Sequence, residues 1–150
     1  MGRIYDVVEE FLKSDNWPNT RLEDRTILKT GFEGDHGEFT CYAQAREEQE
    51  QFVFYSVFPV KVPPANHAAI AEFITRSNYG IIIGNYELDL NDGEVRFKTS
   101  VDLEGVEATP KIIRNLIYAN VLTMDKYFPG LMRVIYGGIS PEEAIQEIEG

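Results

Sequence analysis

Apolar residues recur at helical spacing at the start of the chain. Ile4, Val7, Val8, Phe11 and Leu12 line one face and predict an amphipathic helix over residues 3–13. The stretch "SDNWPNT" breaks that period. From residue 26 the period changes to two, the signature of strands. Thr26 to Phe32 reads as a first strand, "GDHG" at 34–37 as a turn, and Glu38 to Gln44 as a second strand with Phe39, Cys41 and Ala43 on one face. "REEQEQ" at 46–51 reads as a solvated connection. Phe52 to Val60 carries Phe52, Phe54 and Phe58 on one face and Val53, Tyr55 and Val57 on the other. A strand apolar on both sides is expected to be covered on both sides.

Val62-Pro63-Pro64 ends this strand. A helix from about Pro64 to Asn78 would bury Ile70, Phe73 and Ile74, with Gly80 as its stop. Two further strands follow, near Ile81 to Leu90 and Glu94 to Leu103. Thr109 is a good N-cap with Pro110 at the first helical position. The helix it starts is expected to reach about Tyr127, where Pro129 and Gly130 interrupt it before a short turn or helix at Leu131 to Tyr136. Ser140-Pro141-Glu142-Glu143 is a capping box opening a last helix with Ala144, Ile145 and Ile148 inward. The order α-β-β-β-α-β-β-α plus a C-terminal helical extension predicts an α+β fold, a twisted antiparallel sheet of about five strands with helices packed on it. No linker or repeat divides the chain. It is expected to be one domain, with a core over about 3–127 and an extension over 128–150.

The acidic stretch "NYELDLNDGEVRFKTSVD", residues 85–102, could be read as a calcium loop or as sheet. The calcium pattern fails because its Gly comes one residue early. Asp92-Gly93 suits a two-residue type I′ hairpin turn. That turn would place Leu90 opposite Val95, Leu88 opposite Phe97 and Tyr86 opposite Thr99. On the other face Asp89 would meet Arg96 and Glu87 would meet Lys98. The carboxylates then belong to a solvated sheet face.

Hydrophobic content of 43% over 150 residues is enough for one sizeable core. The net charge of −11 opposes nucleic acid and anionic membrane surfaces, so neither is an expected partner. A single cysteine, Cys41, allows no intrachain disulfide and favours a reducing compartment. The N-terminus has Asp6, Glu9 and Glu10 where a signal peptide would be apolar, and Asp6 where a myristoylation pattern needs Ser or Thr. No apolar run approaches membrane-spanning length. A cytoplasmic location is expected.

Catalytic signals are absent. His36 and His67 stand apart, in a turn and at a helix start, and Cys41 alternates with core residues. There is no G-x-S-x-G, Walker or dinucleotide glycine pattern, and "GIIIG" at 80–84 does not open a helix. Glu87 and Asp89 are the best carboxylate pair, and both have basic cross-strand partners in the expected hairpin. No catalytic residue, cofactor or metal is expected. What remains is surface. Over residues 110–126 Ile112, Ile113, Leu116, Ile117, Ala119, Val121 and Met124 make one apolar face, and Asn120 inside it needs a hydrogen-bond partner if buried. Tyr118 and Leu122 lie on the opposite arc, rimmed by Lys111, Arg114, Asn115, Asp125 and Lys126. An apolar pair in a polar rim suits a protein contact, with Tyr118, Leu122, Arg114 and Asp125 as its candidate residues. Alternatively, the C-terminal segment folds over the pair.

The series "FVFYSVFPVKVPPANHAAIAEFITRSNYG" and "IIIGNYELDLNDGEVRFKTSVDLEG" resembles the YbjN-like family of bacterial sensory transduction regulators. The likeness lies in the strand ending at Pro59, Val62-Pro63, the helix closing at Asn78, and the Gly84 strand leading to Asp92-Gly93-Glu94. It covers about residues 26–124. It implies a fold similar to type III secretion chaperones, small acidic dimeric proteins that hold partner polypeptides, and it implies no catalytic residue. The expected function is a non-catalytic protein-binding domain, a chaperone-like or regulatory adaptor that forms a homodimer. The alternative is a small-ligand or metal-binding domain, or an enzyme, with a pocket between the aromatic residues of 52–60 and the helix at 64–78. A third reading is a purely structural subunit.

Overall fold

The computed structural model describes residues 1–150. Helix α1 spans Arg3–Ser14, followed by strands β1 (Thr20–Arg21), β2 (Ile27–Glu33), β3 (Glu38–Arg46) and β4 (Gln51–Val57). After a short 3₁₀ turn at Pro64–Asn66 come α2 (His67–Gly80), β5 (Asn85–Leu88), β6 (Val95–Asp102), α3 (Pro110–Tyr136) and α4 (Pro141–Glu149). The expected α+β architecture is present. All strands join one antiparallel sheet in the order β1-β2-β3-β4-β6-β5. The two-residue β1 is an addition to the expected set, formed where Thr20 and Arg21 pair with Lys29 and Leu28.

α1, α2 and α3 pack on one side of the sheet, and α4 packs on α2 and α3. The core between the layers holds Phe52, Phe54 and Phe97 from the sheet with Leu12, Phe73, Ile113 and Ile117 from the helices, all fully buried. Asn120 lies in the middle of this apolar layer and is fully buried. Its Nδ2 donates to the carbonyls of Phe54 at 2.9 Å and Phe97 at 3.0 Å, and to Thr99 Oγ1 at 3.2 Å. Its Oδ1 accepts from the Ser56 hydroxyl at 2.5 Å. Thr99 donates onward to the Leu116 carbonyl at 3.0 Å. One carboxamide thus pins α3 to β4 and β6, and every buried side-chain polar atom has a partner.

Four local expectations are corrected. The first concerns α3, which runs unbroken to Tyr136 with Pro129 inside it. Pro129 has no N–H for the Asp125 carbonyl. The His36 ring supplies a donor instead, with Nδ1 3.1 Å from that carbonyl. The Asp125 side chain accepts the backbone N–H of Asp35 at 3.1 Å and of His36 at 2.9 Å. The "GDHG" turn is therefore a cap on the proline-gapped helix. Its glycines allow the contact, since a Cβ at Gly34 would strike Asp125 and one at Gly37 would strike the Phe128 ring.

The second is the hairpin register, shifted by two residues: Leu88 pairs with Val95, Tyr86 with Phe97 and Glu87 with Arg96. A two-residue type I′ turn needs positive φ at both central positions, but of Asp92 and Gly93 only Gly93 has it, at 82°. The loop is longer, with Asp89 and Glu94 closing it through Asp89 N to Glu94 O at 2.9 Å. Asp89 and Asp92 side chains accept the N–H of Asn91 and Glu94 within it. A shift of two keeps each side chain on its expected face but changes its partner. Glu87 alone takes both Arg96 at 2.8 Å and Lys98 at 3.0 Å, while Asp89 takes neither and Leu90 is exposed.

The third is the connection at 46–51, which does more than stay solvated. Glu47 accepts the N–H of Tyr5 at 2.7 Å and Ile4 at 3.2 Å, capping α1, whose N-cap residue Gly2 has no side chain to do so. The fourth is β4, where only the side bearing Phe52, Phe54 and Ser56 is covered by helices. The side bearing Val53, Tyr55 and Val57 faces outward with no helix laid across it, bordered only by Leu22 and Arg25 of the loop before β2.

Candidate functional site

Strand alternation places a second set of residues on that uncovered side, and the registers align them in rows. Lys29, Tyr42, Tyr55, Lys98 and Asn85 are successive cross-strand partners. Beside them run Ile27, Gln44, Val53 and Ser100, and on the other flank Gly31, Thr40, Val57, Arg96 and Glu87. The centre is apolar and aromatic. Tyr42, Tyr55 and Val57 are half-buried, and Val53 is only 6% exposed although no element overlies it. Neither tyrosine hydroxyl has a hydrogen-bond partner within the chain, whereas the buried Tyr86 hydroxyl reaches the Thr123 carbonyl at 3.3 Å. The Arg96 guanidinium lies 4.2 Å from the centre of the Tyr55 ring, a stabilising cation–π stack.

Two shallow hollows flank Tyr55. One of about 320 Å³ runs from Leu22, Arg25 and Ile27 across Tyr42 to Val57 and Arg96. The other, about 300 Å³, lies among Arg46, Val53, Lys98 and Ser100. Charge is distributed unevenly. The strand residues of this side carry Lys29, Arg46, Arg96 and Lys98 against Glu33, Glu38, Glu87 and Asp102, so the net charge of −11 lies wholly elsewhere on the molecule. Glu33 and Glu38 sit together at one end, Asp102 at the other. Partial burial raises the Glu87 pKa, but its bonds to Lys98 and Arg96 outweigh this and hold it below the ordinary carboxylate range.

The nearby sheet edge is closed. On β5 the outward backbone of Tyr86 is taken by Asn78 of α2, whose Oδ1 accepts its N–H at 2.7 Å and whose Nδ2 donates to its carbonyl at 3.1 Å. The carboxamide stands in for a neighbouring strand and blunts this edge against pairing. The face of the sheet, not this edge, is left available.

The four residues expected at a contact on α3 part company. Leu122 is 57% exposed and Arg114 is exposed. Tyr118 is half-buried under α1 and the segment after it: its ring meets Phe11 and Trp17 edge-on, its hydroxyl bonds Asp15, and Arg114 lies over its outer side at 5.5 Å. Asp125 is 8% exposed and is used by the "GDHG" turn. Tyr79 at the end of α2, and Ile82 and Ile83 between α2 and β5, are further exposed apolar side chains.

Other candidates for chemistry are accounted for by structure. Burial pushes the Cys41 thiol up to about 12, against a weak opposing contact from Ser56, so it is an inert core thiol. His67 Nε2 lies 2.9 Å from the Val62 carbonyl. No three His, Cys, Asp or Glu side chains come together to hold a metal ion. The largest hollow, about 730 Å³, is an open trough beside α1 lined mainly by polar residues such as Asp6, Glu9 and Lys13. No helix is long and apolar enough to cross a membrane. The open face itself was half legible. The phase of Tyr42, Val53, Tyr55 and Val57 is plain in the sequence, but the number of helices on each side of the sheet is not.

Comparison with solved structures places this architecture. Crystallised YbjN from E. coli, described as "a putative transcription regulator", superposes with a TM-score of 0.64 at 11% identity over 89% of each chain. A chain of the ExsC–ExsE complex gives a TM-score of 0.60 at 12% identity, over 86% of this chain and 96% of that one. A chain of the HopA1–SchA chaperone–effector complex gives 0.53 at 12% identity, over 85% and 95%. At such identities the likeness is one of fold. No curated protein matches in sequence. The family model described as "Putative bacterial sensory transduction regulator" matches residues 5–133, and the chain accordingly belongs to the YbjN family.

Proposed function

We propose that this chain is a non-catalytic protein-binding domain, a chaperone-like or regulatory adaptor of bacterial signalling or stress response, that engages partner polypeptides on the open face of its sheet. The observation carrying this reading is the asymmetry of the sheet. Three adjacent strands, β2, β3 and β4, present a continuous apolar and aromatic floor, Ile27, Tyr42, Val53, Tyr55 and Val57, that no helix of the chain covers. A contiguous apolar surface rimmed by charge is the composition of a contact site. Support also comes from the family and from structural neighbours that include a chaperone–effector complex. The lone buried thiol and the absence of a membrane-crossing helix are consistent with a cytoplasmic location.

Self-association belongs to the same reading. We place a homodimer contact on the outer arc of α3 around Leu122 and Arg114, with Tyr118 behind them fixed by Trp17. Isologous contact would bury the same patch from both copies.

Affinity capture from native lysate, with the wild type beside a Tyr42→Ser, Tyr55→Ser double variant, tests the reading. A polypeptide partner retained by the wild type and lost by the double variant is expected. Equal capture by both would move the contact off the open face, and no polypeptide but saturable thermal stabilisation by a metabolite or metal would move the function to the small-ligand alternative.

A further inference from the structure

Resting on the open face as the docking surface, we infer that the segment it takes is acidic: an extended stretch in which aspartate or glutamate alternates with aromatic or branched apolar residues. The whole protein is acidic, so the default expectation would be a basic partner. The local arrangement points the other way. Arg25, Lys29 and Arg46 make no ion pair, whereas the other cations of this face share Glu87. Arg25 ends the hollow whose floor is Tyr42 and Tyr55, Lys29 adjoins Tyr42 in register, and Arg46 walls the second hollow beside Val53. The three free cations thus surround the apolar floor. Of the carboxylates near the floor, Glu94 in the first hollow is paired with Lys61 at 3.6 Å and Asp102 stands in the second hollow with Arg46, which leaves Arg25 and Lys29 as the uncompensated charges, while Glu33 and Glu38 lie at the far end of the strands.

An extended strand laid over this floor places alternate side chains down against it and the others toward its margins. Apolar side chains would fill the hollows on either side of Tyr55, and carboxylates would reach Arg25, Lys29 and Arg46. Arginine pairs carboxylates with two parallel bonds, which fixes register as well as attraction. The overall −11 acts over longer distances and is screened by salt, while contacts at the face are screened less. Affinity for an acidic segment should therefore rise from very low to moderate ionic strength before it falls.

The test uses the full chain and two labelled synthetic peptides, one alternating glutamate with phenylalanine and valine, the other with lysine in place of each glutamate. A single-stranded oligothymidylate serves as a third probe. The glutamate peptide is expected to bind at least about tenfold tighter than the lysine peptide. The triple variant Arg25→Glu, Lys29→Glu, Arg46→Glu should reverse that order while its melting transition stays unchanged. Should the triple variant unfold, the single change Lys29→Glu must still narrow the preference severalfold. Tighter binding of the lysine peptide, lost in the Tyr42→Ser, Tyr55→Ser variant, would overturn the acidic assignment and leave the open face as the docking surface. Binding of neither peptide, while the captured partner still requires Tyr42 and Tyr55, would also overturn it. Oligothymidylate binding tighter than both peptides would overturn it together with the protein-partner reading.

Discussion

The two faces of the sheet are made by the same strands, one alternate residue at a time, and they are put to opposite uses. Along β4, Phe52, Phe54 and Ser56 are fully buried on the side that α3 covers, and their neighbour Asn120 has its amide and carbonyl both occupied. One residue away in each case, Val53, Tyr55 and Val57 meet no overlying element, and the hydroxyls of Tyr42 and Tyr55 are unoccupied. On the covered face every polar atom is answered, which fixes how α3 docks. On the open face apolar area and cations are left over. Interior satisfaction specifies a fold; surplus at a surface specifies a contact.

If the contrast is real, equivalent truncations on the two faces should differ most of all. Phe54→Ala removes a buried ring and should cost about 3–5 kcal/mol, while Tyr55→Ala should cost no more than about 1 kcal/mol. Paired urea titrations read both, and equal costs would mean the open face is not open in solution. Asn120→Leu should come next. It leaves the Ser56 hydroxyl with only its 3.5 Å contact to Cys41 Sγ and takes a donor from the Phe54 and Phe97 carbonyls, and should destabilise by about 3 kcal/mol. The same variant should speed alkylation of Cys41, whose thiol is otherwise held buried and protonated.

A smaller effect is expected where α3 meets the "GDHG" turn. Asp125→Ala unties Asp35 and His36 and should cost about 1–3 kcal/mol, with faster amide exchange confined to residues 34–37 and the last turns of α3. Global rather than local loosening would show that the clamp belongs to the main core. The smallest effect sits on the open face itself. The lowered Glu87 pKa contributes stability that is present above the ordinary carboxylate range and lost as pH falls through the folded-state value. Because Glu87 and its two basic partners are only partly buried and solvent screens their attraction, Glu87→Gln should change the pH dependence of the urea midpoint by well under about 1 kcal/mol.

The sequence made the local physics visible and left the long-range part dark. The helical period of Ile4 to Leu12, the Thr109–Pro110 start of α3 and the Ser140 cap of α4 were all readable, because each depends on neighbours within a few residues. Thr109 Oγ1 accepts the Ile112 N–H and Ser140 Oγ accepts that of Glu143. The continuation of α3 through Pro129 was not readable, since the group that replaces the missing donor arrives from His36, far away in sequence. The same holds for Glu47 capping α1. The hairpin register failed for a finer reason: Asp92-Gly93 allows a tight turn, yet the Asp89 and Asp92 side chains stabilise a longer loop. At the candidate site, the aromatic phase of β3 and β4 could be read from alternation. That one face would stay bare could not, because it depends on which side of the sheet the helices cross. Tyr118 looked exposed on a helical wheel because the wheel cannot show Trp17 folding back over it.

The open face as a docking surface is tested most directly by placing a photoreactive phenylalanine analogue, in separate variants, at Tyr42, Tyr55 and Leu122 and irradiating native host cells. Adducts to a second polypeptide from positions 42 and 55, with self-adducts from position 122, are the predicted result. Heterologous adducts from position 122 alone, with positions 42 and 55 silent, would contradict the account.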